Sequence, residues 1–149
     1  MGLLVETHAG IMDAVARDLA TVGAQVSSFE VLLRLARSAD HRLRMTELAA
    51  QTSLTNSGLT RLIDRLATAG LVERSICETD RRGYYASITQ DGLDRLAEAL
   101  PTHLDTIEQV LTGVVDQDEL EGFVNTLRKL RAVVNPCSDP HNSAHLAGS

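Results

Sequence analysis

Residues 45–92, MTELAAQTSLTNSGLTRLIDRLATAGLVERSICETDRRGYYASITQDG, hold the signals from which the rest of the chain can be placed. Thr46 stands before Leu48 and Ala49 and suits the cap of a short helix. Ser53-Leu54-Thr55 leaves room only for a turn, with Thr55 able to cap a second helix. From Asn56 onward Leu59, Leu62, Ile63 and Leu66 are spaced to line one helical face. Gly70 then falls where a left-handed residue ends a helix. The spacing predicts two helices joined by three or four residues, a helix-turn-helix, whose second helix can enter a DNA major groove.

The residues after Gly70 sharpen that expectation. Leu71–Ile76 alternates apolar and polar as a half-buried strand does, and Tyr84–Ile88 is rich in strand formers. Between them lies the polar tip Glu78-Thr79-Asp80-Arg81-Arg82-Gly83. A hairpin with adjacent arginines at its tip, directly after a recognition helix, is a wing. Arginine suits a narrow A·T minor groove, where negative potential concentrates. The region reads as a winged helix-turn-helix.

LTNSGLTRLIDRLATAGLVER, the Asp80-Arg81-Arg82 run and Ile88-Thr89-Gln90-Asp91-Gly92, in this order and spacing, resemble the MarR family of bacterial transcription regulators (multiple antibiotic resistance regulators) over roughly residues 28–95. The resemblance implies a mainly α fold with a small β-wing, in which helices from both termini dimerise. It also implies release from DNA by a small aromatic or anionic ligand bound between the dimerisation helices and the reading head. The protein is then expected to be a repressor. Peroxide-sensing members of the family carry a cysteine in the first helix; this chain has none there.

The 149 residues suit one domain with a core of Leu, Val, Ala and Ile. The expected division is a single domain over 1–136, with the winged helix-turn-helix at about 28–92 and dimerisation helices at about 4–23 and 90–135. Residues 137–149 lack periodicity and read as a flexible tail. No stretch approaches a membrane span, and Glu6 with no basic segment before an apolar run argues against a signal peptide. Cys77 and Cys137 form neither a metal spacing nor a disulfide framework. These features point to a cytoplasmic protein without metal or cofactor. No nucleophile elbow, phosphate loop or metal motif suggests an enzyme.

The net charge of −6 is at odds with a nucleic-acid partner until the chain is divided. Residues 41–82 hold seven arginines against five acids, whereas the remainder holds seven basic residues against fifteen acids. Positive charge is therefore concentrated in the proposed reading head.

Outside that head, Leu4, His8, Ile11, Val15, Leu19 and Val22 mark an amphipathic first helix ending near Gly23. Ser27 and Glu30 suggest a capping box for a second helix, followed by a turn at Asp40-His41. After the wing, Thr89 can cap a long helix with the seam Leu93, Leu96, Leu100, Leu104, Ile107, Leu111 and Val114; Pro101 should kink it rather than stop and restart it. Asp116 and Glu119 form another capping box, opening a last helix with Leu120, Phe123, Leu127, Leu130 and Val134 inward. An apolar seam this long favours a two-fold dimer. Two recognition helices then sit about 34 Å apart and match a palindromic operator in double-stranded DNA.

Candidate DNA contacts follow from that geometry. Asn56, Ser57, Thr60 and Arg61 occupy the first turns of the recognition helix, where Asn56 can read adenine and Arg61 guanine. Thr55 and Arg65 flank them, Thr46 and Arg74 can reach phosphates, and Arg81 and Arg82 belong to the wing. One wing arginine is expected to enter the minor groove while the other pairs with Asp64 or Asp80 to hold the hairpin. Gly58, placed mid-helix, is unexpected for the family and costs about 1 kcal/mol relative to Ala. For an effector, His8 on the apolar stripe and Arg17, which has Asp13 four residues earlier, are the candidates. Two other readings remain open: a redox-responsive regulator using Cys77, and a winged-helix protein-interaction module without DNA binding.

Overall fold

Helices predominate in the computed structural model, which describes residues 2–52, 54–77 and 80–134, the side chains of Cys77, Asp80, Arg81 and Arg82 excepted. The expectations on those four side chains, on Cys137 and on the tail lie outside the described residues. Helix α1 spans Gly2–Thr21 and α2 spans Val26–Ala36. A 3-10 turn at Ala39–His41 leads into strand β1, Arg42–Arg44, and helix α3, Met45–Gln51. Helix α4 covers Asn56–Thr68, strands β2 and β3 cover Val72–Cys77 and Asp80–Ile88, and α5 covers Gln90–Ile107. A π-helical turn, Glu108–Thr112, separates α5 from α6, Gln117–Val134. Among the described residues no single helix is long and apolar enough to cross a membrane.

The core sits where α1, α2, α3, α4, α5 and the sheet meet. Leu19, Val31, Leu35, Leu48, Leu59, Ile63 and Val72 are almost fully buried there, each large aliphatic side chain contributing about 1.5–3 kcal/mol. Leu59, Leu62, Ile63 and Leu66 are all buried on α4, as their spacing predicted. Gly70 adopts φ +76° behind that helix, a conformation that costs glycine nothing.

The sheet has a strand that the sequence did not announce. β1 pairs antiparallel with β3, Leu43 opposite Ala86, and the order is β1-β3-β2. Three residues are too few to show alternation, so only pairing with β3 makes this segment a strand. Two helix starts also differ from expectation. α2 begins at Val26 with Gln25 before it and no side-chain cap; Val26 packs against the core, drawing the start upstream of Ser27. Glu30 pairs with Arg34 at 3.6 Å instead. α3 begins at Met45, so Thr46 is inside it, and Glu47 accepts the Arg44 backbone N–H at 3.0 Å.

Helix α5 runs on through Pro101, so the chain neither stops nor restarts there. The irregularity comes later, at Glu108–Thr112. Asp116 and Glu119 form the expected reciprocal cap, at 2.9 and 3.1 Å. The last helix, however, does not turn its apolar residues inward. No residue of α6 is buried, and Phe123, Leu127 and Leu130 are exposed. Among the described residues of one chain, nothing covers that face.

Where α2 crosses α5, the His103 ring lies 4.7 Å from the Phe29 ring. Its Nδ1 is buried with no hydrogen-bond partner among the described residues, and burial pushes its pKa below the usual 6.5. As pH falls below 6.5 the unfolded chain takes up this proton first, so the folded state loses stability down to the lowered pKa. Above 6.5 the histidine imposes no such penalty. Urea unfolding at about pH 7.5 and about pH 5.5 should show a smaller loss for His103→Leu than for wild type; equal losses would exclude this residue as the cause.

Candidate nucleic-acid interface

α4 owes its position to a buried stripe and its chemistry to the opposite one. Thr55 caps it, the Oγ1 accepting the Gly58 N–H at 3.1 Å. Asn56, Ser57, Thr60, Arg61 and Arg65 are all exposed on the outer face. The Thr60 hydroxyl donates to the Asn56 carbonyl at 2.9 Å, whereas Arg61 and Arg65 have no ion pair among the described residues. Gly58 is the third residue of the helix rather than mid-helix. A Cβ there would come within 3.1 Å of the Thr55 Oγ1, so a larger residue would require the capping hydroxyl to shift by a few tenths of an ångström.

The wing is tied to this helix. Asp64 on α4 accepts a hydrogen bond from Arg74 on β2 at 2.5 Å. The Arg74 guanidinium also lies 4.8 Å from the centre of the Tyr84 ring. Asp64 thus ties α4 to the hairpin through Arg74; the side chains of Arg81 and Arg82, expected to share that task, lie outside the described residues. Arg74 is correspondingly turned toward α4 and away from the free phosphate-binding role expected of it. Both side chains are partly exposed, so the pair adds at most about 1 kcal/mol; its consequence is geometric, fixing helix and hairpin relative to each other.

Residues 42 and 44, counted only as charge in the sequence, turn out to flank Tyr85. Their guanidinium carbons lie 5.2 and 5.6 Å from its ring centre, and Arg44 Nε donates to the Tyr85 hydroxyl at 3.1 Å. Thr46 is exposed at the start of α3.

A cleft of about 210 Å³ lies between the α1–α2 turn, the end of α4 and α5, lined by Ser28, Phe29, Leu32, Leu66, Arg95 and Ala99 among others. Arg95 donates to the Val22 carbonyl at 2.8 Å and to Glu98 at 3.0 Å. His8 and Arg17 are exposed on α1 and do not line this cleft. A periodicity argument could place them on a stripe but not against a cavity formed by other helices. The basic group at the cleft is Arg95, whose approach to Val22 spans 73 residues of sequence.

Residues 25–84 match the model of the MarR family. The chain is 34% identical over 108 residues to the HTH-type transcriptional repressor YetL of Bacillus subtilis; the match takes in 72% of this chain and 64% of YetL, just under two thirds of that protein's length. It is similar to the crystal structure of AbsC, a MarR family transcriptional regulator from Streptomyces coelicolor, at a TM-score of 0.81 and 27% identity, covering 89% of each chain. Sco3205, a MarR family regulator of the same organism crystallised in complex with DNA, gives a TM-score of 0.81 at 28% identity, covering 89% of this chain and 84% of that one.

Proposed function

Because the chain belongs to the MarR family, we propose that it is a sequence-specific DNA-binding transcription regulator, acting as a homodimeric repressor that a small aromatic or anionic ligand releases. The observation that carries this reading is α4: four buried aliphatic residues seat it, while an unobstructed row of Asn56, Ser57, Thr60, Arg61 and Arg65 faces outward. The Arg74–Asp64 pair sets the wing beside it. Such a helix fits the major groove and such a hairpin the adjacent minor groove. The relative crystallised with DNA supports the same reading.

Dimerisation rests on the uncovered apolar surface. Leu3, Leu4 and Val5 on α1, Leu104 on α5, and Phe123, Leu127 and Leu130 on α6 are exposed, more large apolar side chains on the terminal helices than a monomer needs to leave in water. A second copy would cover them and space two recognition helices for a palindrome. Leu127→Glu with Leu130→Glu is expected to give a folded monomer by sedimentation, with operator affinity reduced about 100-fold or more through loss of the second half-site. A variant that still sediments as a dimer would place the interface elsewhere.

The effector reading rests on the cleft at Arg95, which joins apolar walls to one guanidinium, the chemistry suited to an aromatic carboxylate. A ligand that favours the DNA-incompetent arrangement shifts the population off the operator. The test is selection of bound duplexes from a random pool, followed by a screen of small carboxylates and phenols for release. Failure to select any sequence would favour a protein-interaction module instead.

A further inference from the structure

The hairpin has one face that changes character along its length. By register Val72 lies opposite Ile88, Arg74 opposite Ala86 and Ile76 opposite Tyr84, so these six side chains share one side of the sheet. Near its base this side is core: Val72, Ala86 and Ile88 are buried. Farther out it emerges, leaving Ile76 62% and Tyr84 41% exposed. A lone exposed aliphatic residue needs no account, but here two large side chains face each other across strands, beside a helix that also presents polar groups outward. Arg74, between base and tip, reaches across to Asp64 and lies over the Tyr84 ring. This side of the hairpin therefore looks along the flank of α4.

We propose that Ile76 and Tyr84 form a saddle for the sugar-phosphate ridge of duplex DNA. The inference rests on the DNA-binding reading above. A duplex with α4 in its major groove and the wing in the neighbouring minor groove has one backbone strand separating the two, and that strand runs between α4 and the hairpin. Its surface alternates apolar deoxyribose with anionic phosphate, which suits an aliphatic side chain next to an aromatic ring that carries a hydroxyl donor. Asp64 would repel a phosphate at this place; the Arg74 guanidinium on its carboxylate cancels that charge. Ile76 and Tyr84 position the ridge and contribute no base readout.

The experiment measures binding of the full chain to its selected duplex by fluorescence anisotropy, with single methylphosphonate substitutions scanned along both strands. Tyr84→Phe removes only the hydroxyl and should weaken binding about tenfold, equally on selected and scrambled duplexes. The salt slope should stay unchanged, because a neutral donor releases no counterion. One methylphosphonate position should cost wild type affinity and cost Tyr84→Phe nothing further. Ile76→Thr should weaken both duplexes alike with unchanged thermal stability. Wild-type affinity in Tyr84→Phe, or identical methylphosphonate penalties in both proteins, overturns the saddle even if Arg61→Ala still relaxes preference at one base pair. A wild type that selects no duplex removes the DNA reading and the saddle together.

Discussion

Arg61→Ala is expected to weaken binding to the selected operator by about 10- to 100-fold, equivalent to about 1–3 kcal/mol, and to relax preference at a single base pair. Arg61 lies on the exposed face of α4, directly opposite the buried Leu59–Ile63 side, and has no ion pair among the described residues. Its guanidinium can therefore meet a guanine edge without first breaking another contact. An Arg81→Ala/Arg82→Ala double variant should behave differently. It should lose affinity on every duplex and reduce the slope of log affinity against log salt by at least about 1, the contribution of the wing arginine expected to enter the minor groove. Anisotropy titrations on selected and scrambled duplexes at several salt concentrations separate the two outcomes. If both variants bind the selected site as wild type does, the roles given to α4 and the wing are wrong.

Gly92→Ala should destabilise the fold by about 3 kcal/mol, lowering the melting temperature by about 6–12 °C for a chain of this size. Gly92 is buried in the first turn of α5, where its N–H donates to the Thr89 Oγ1 at 3.0 Å. A Cβ there would overlap the Leu71 carbonyl oxygen and lie 2.7 Å from Ile88 Cγ1. The oxygen cannot retreat freely, because it accepts the Thr89 N–H at 3.1 Å. The clash falls where the chain leaving α4 passes the start of α5, so it strains the join between reading head and long helix. Asp91→Ala, one position away and exposed, should cost no more than about 0.5 kcal/mol. Thermal melts of the two variants give the comparison; equal shifts would mean that Gly92 is not held by close packing.

The reading head was legible because its signals act over short distances. Leu59, Leu62, Ile63 and Leu66 recur at the helical period, and the caps at Thr55, Thr89 and Asp116 are hydrogen bonds spanning three residues. Chemistry of that range is written in adjacent letters. The same logic misplaced the starts of α2 and α3, since Ser27 and Thr46 are good capping residues in isolation while burial of Val26 and the Glu47 contact to Arg44 moved the boundaries.

Neighbouring residues alone were enough to specify the two helices of the reading head, the hairpin after them, and the amphipathic helices on either side. Packing of the whole chain was needed for the pairing of β1 with β3, the choice of Arg74 as partner of Asp64, the setting of His103 against Phe29, the cleft at Arg95, and the clash that Gly92 avoids. Each of these joins elements that are distant in the chain, as when Thr106 bonds to Asp18 at 2.8 Å across 88 residues. Side-chain periodicity states which face of an element is apolar; which neighbour covers that face is set by how all the elements pack at once. For α6 the described residues of one chain offer no cover, so its apolar side faces outward.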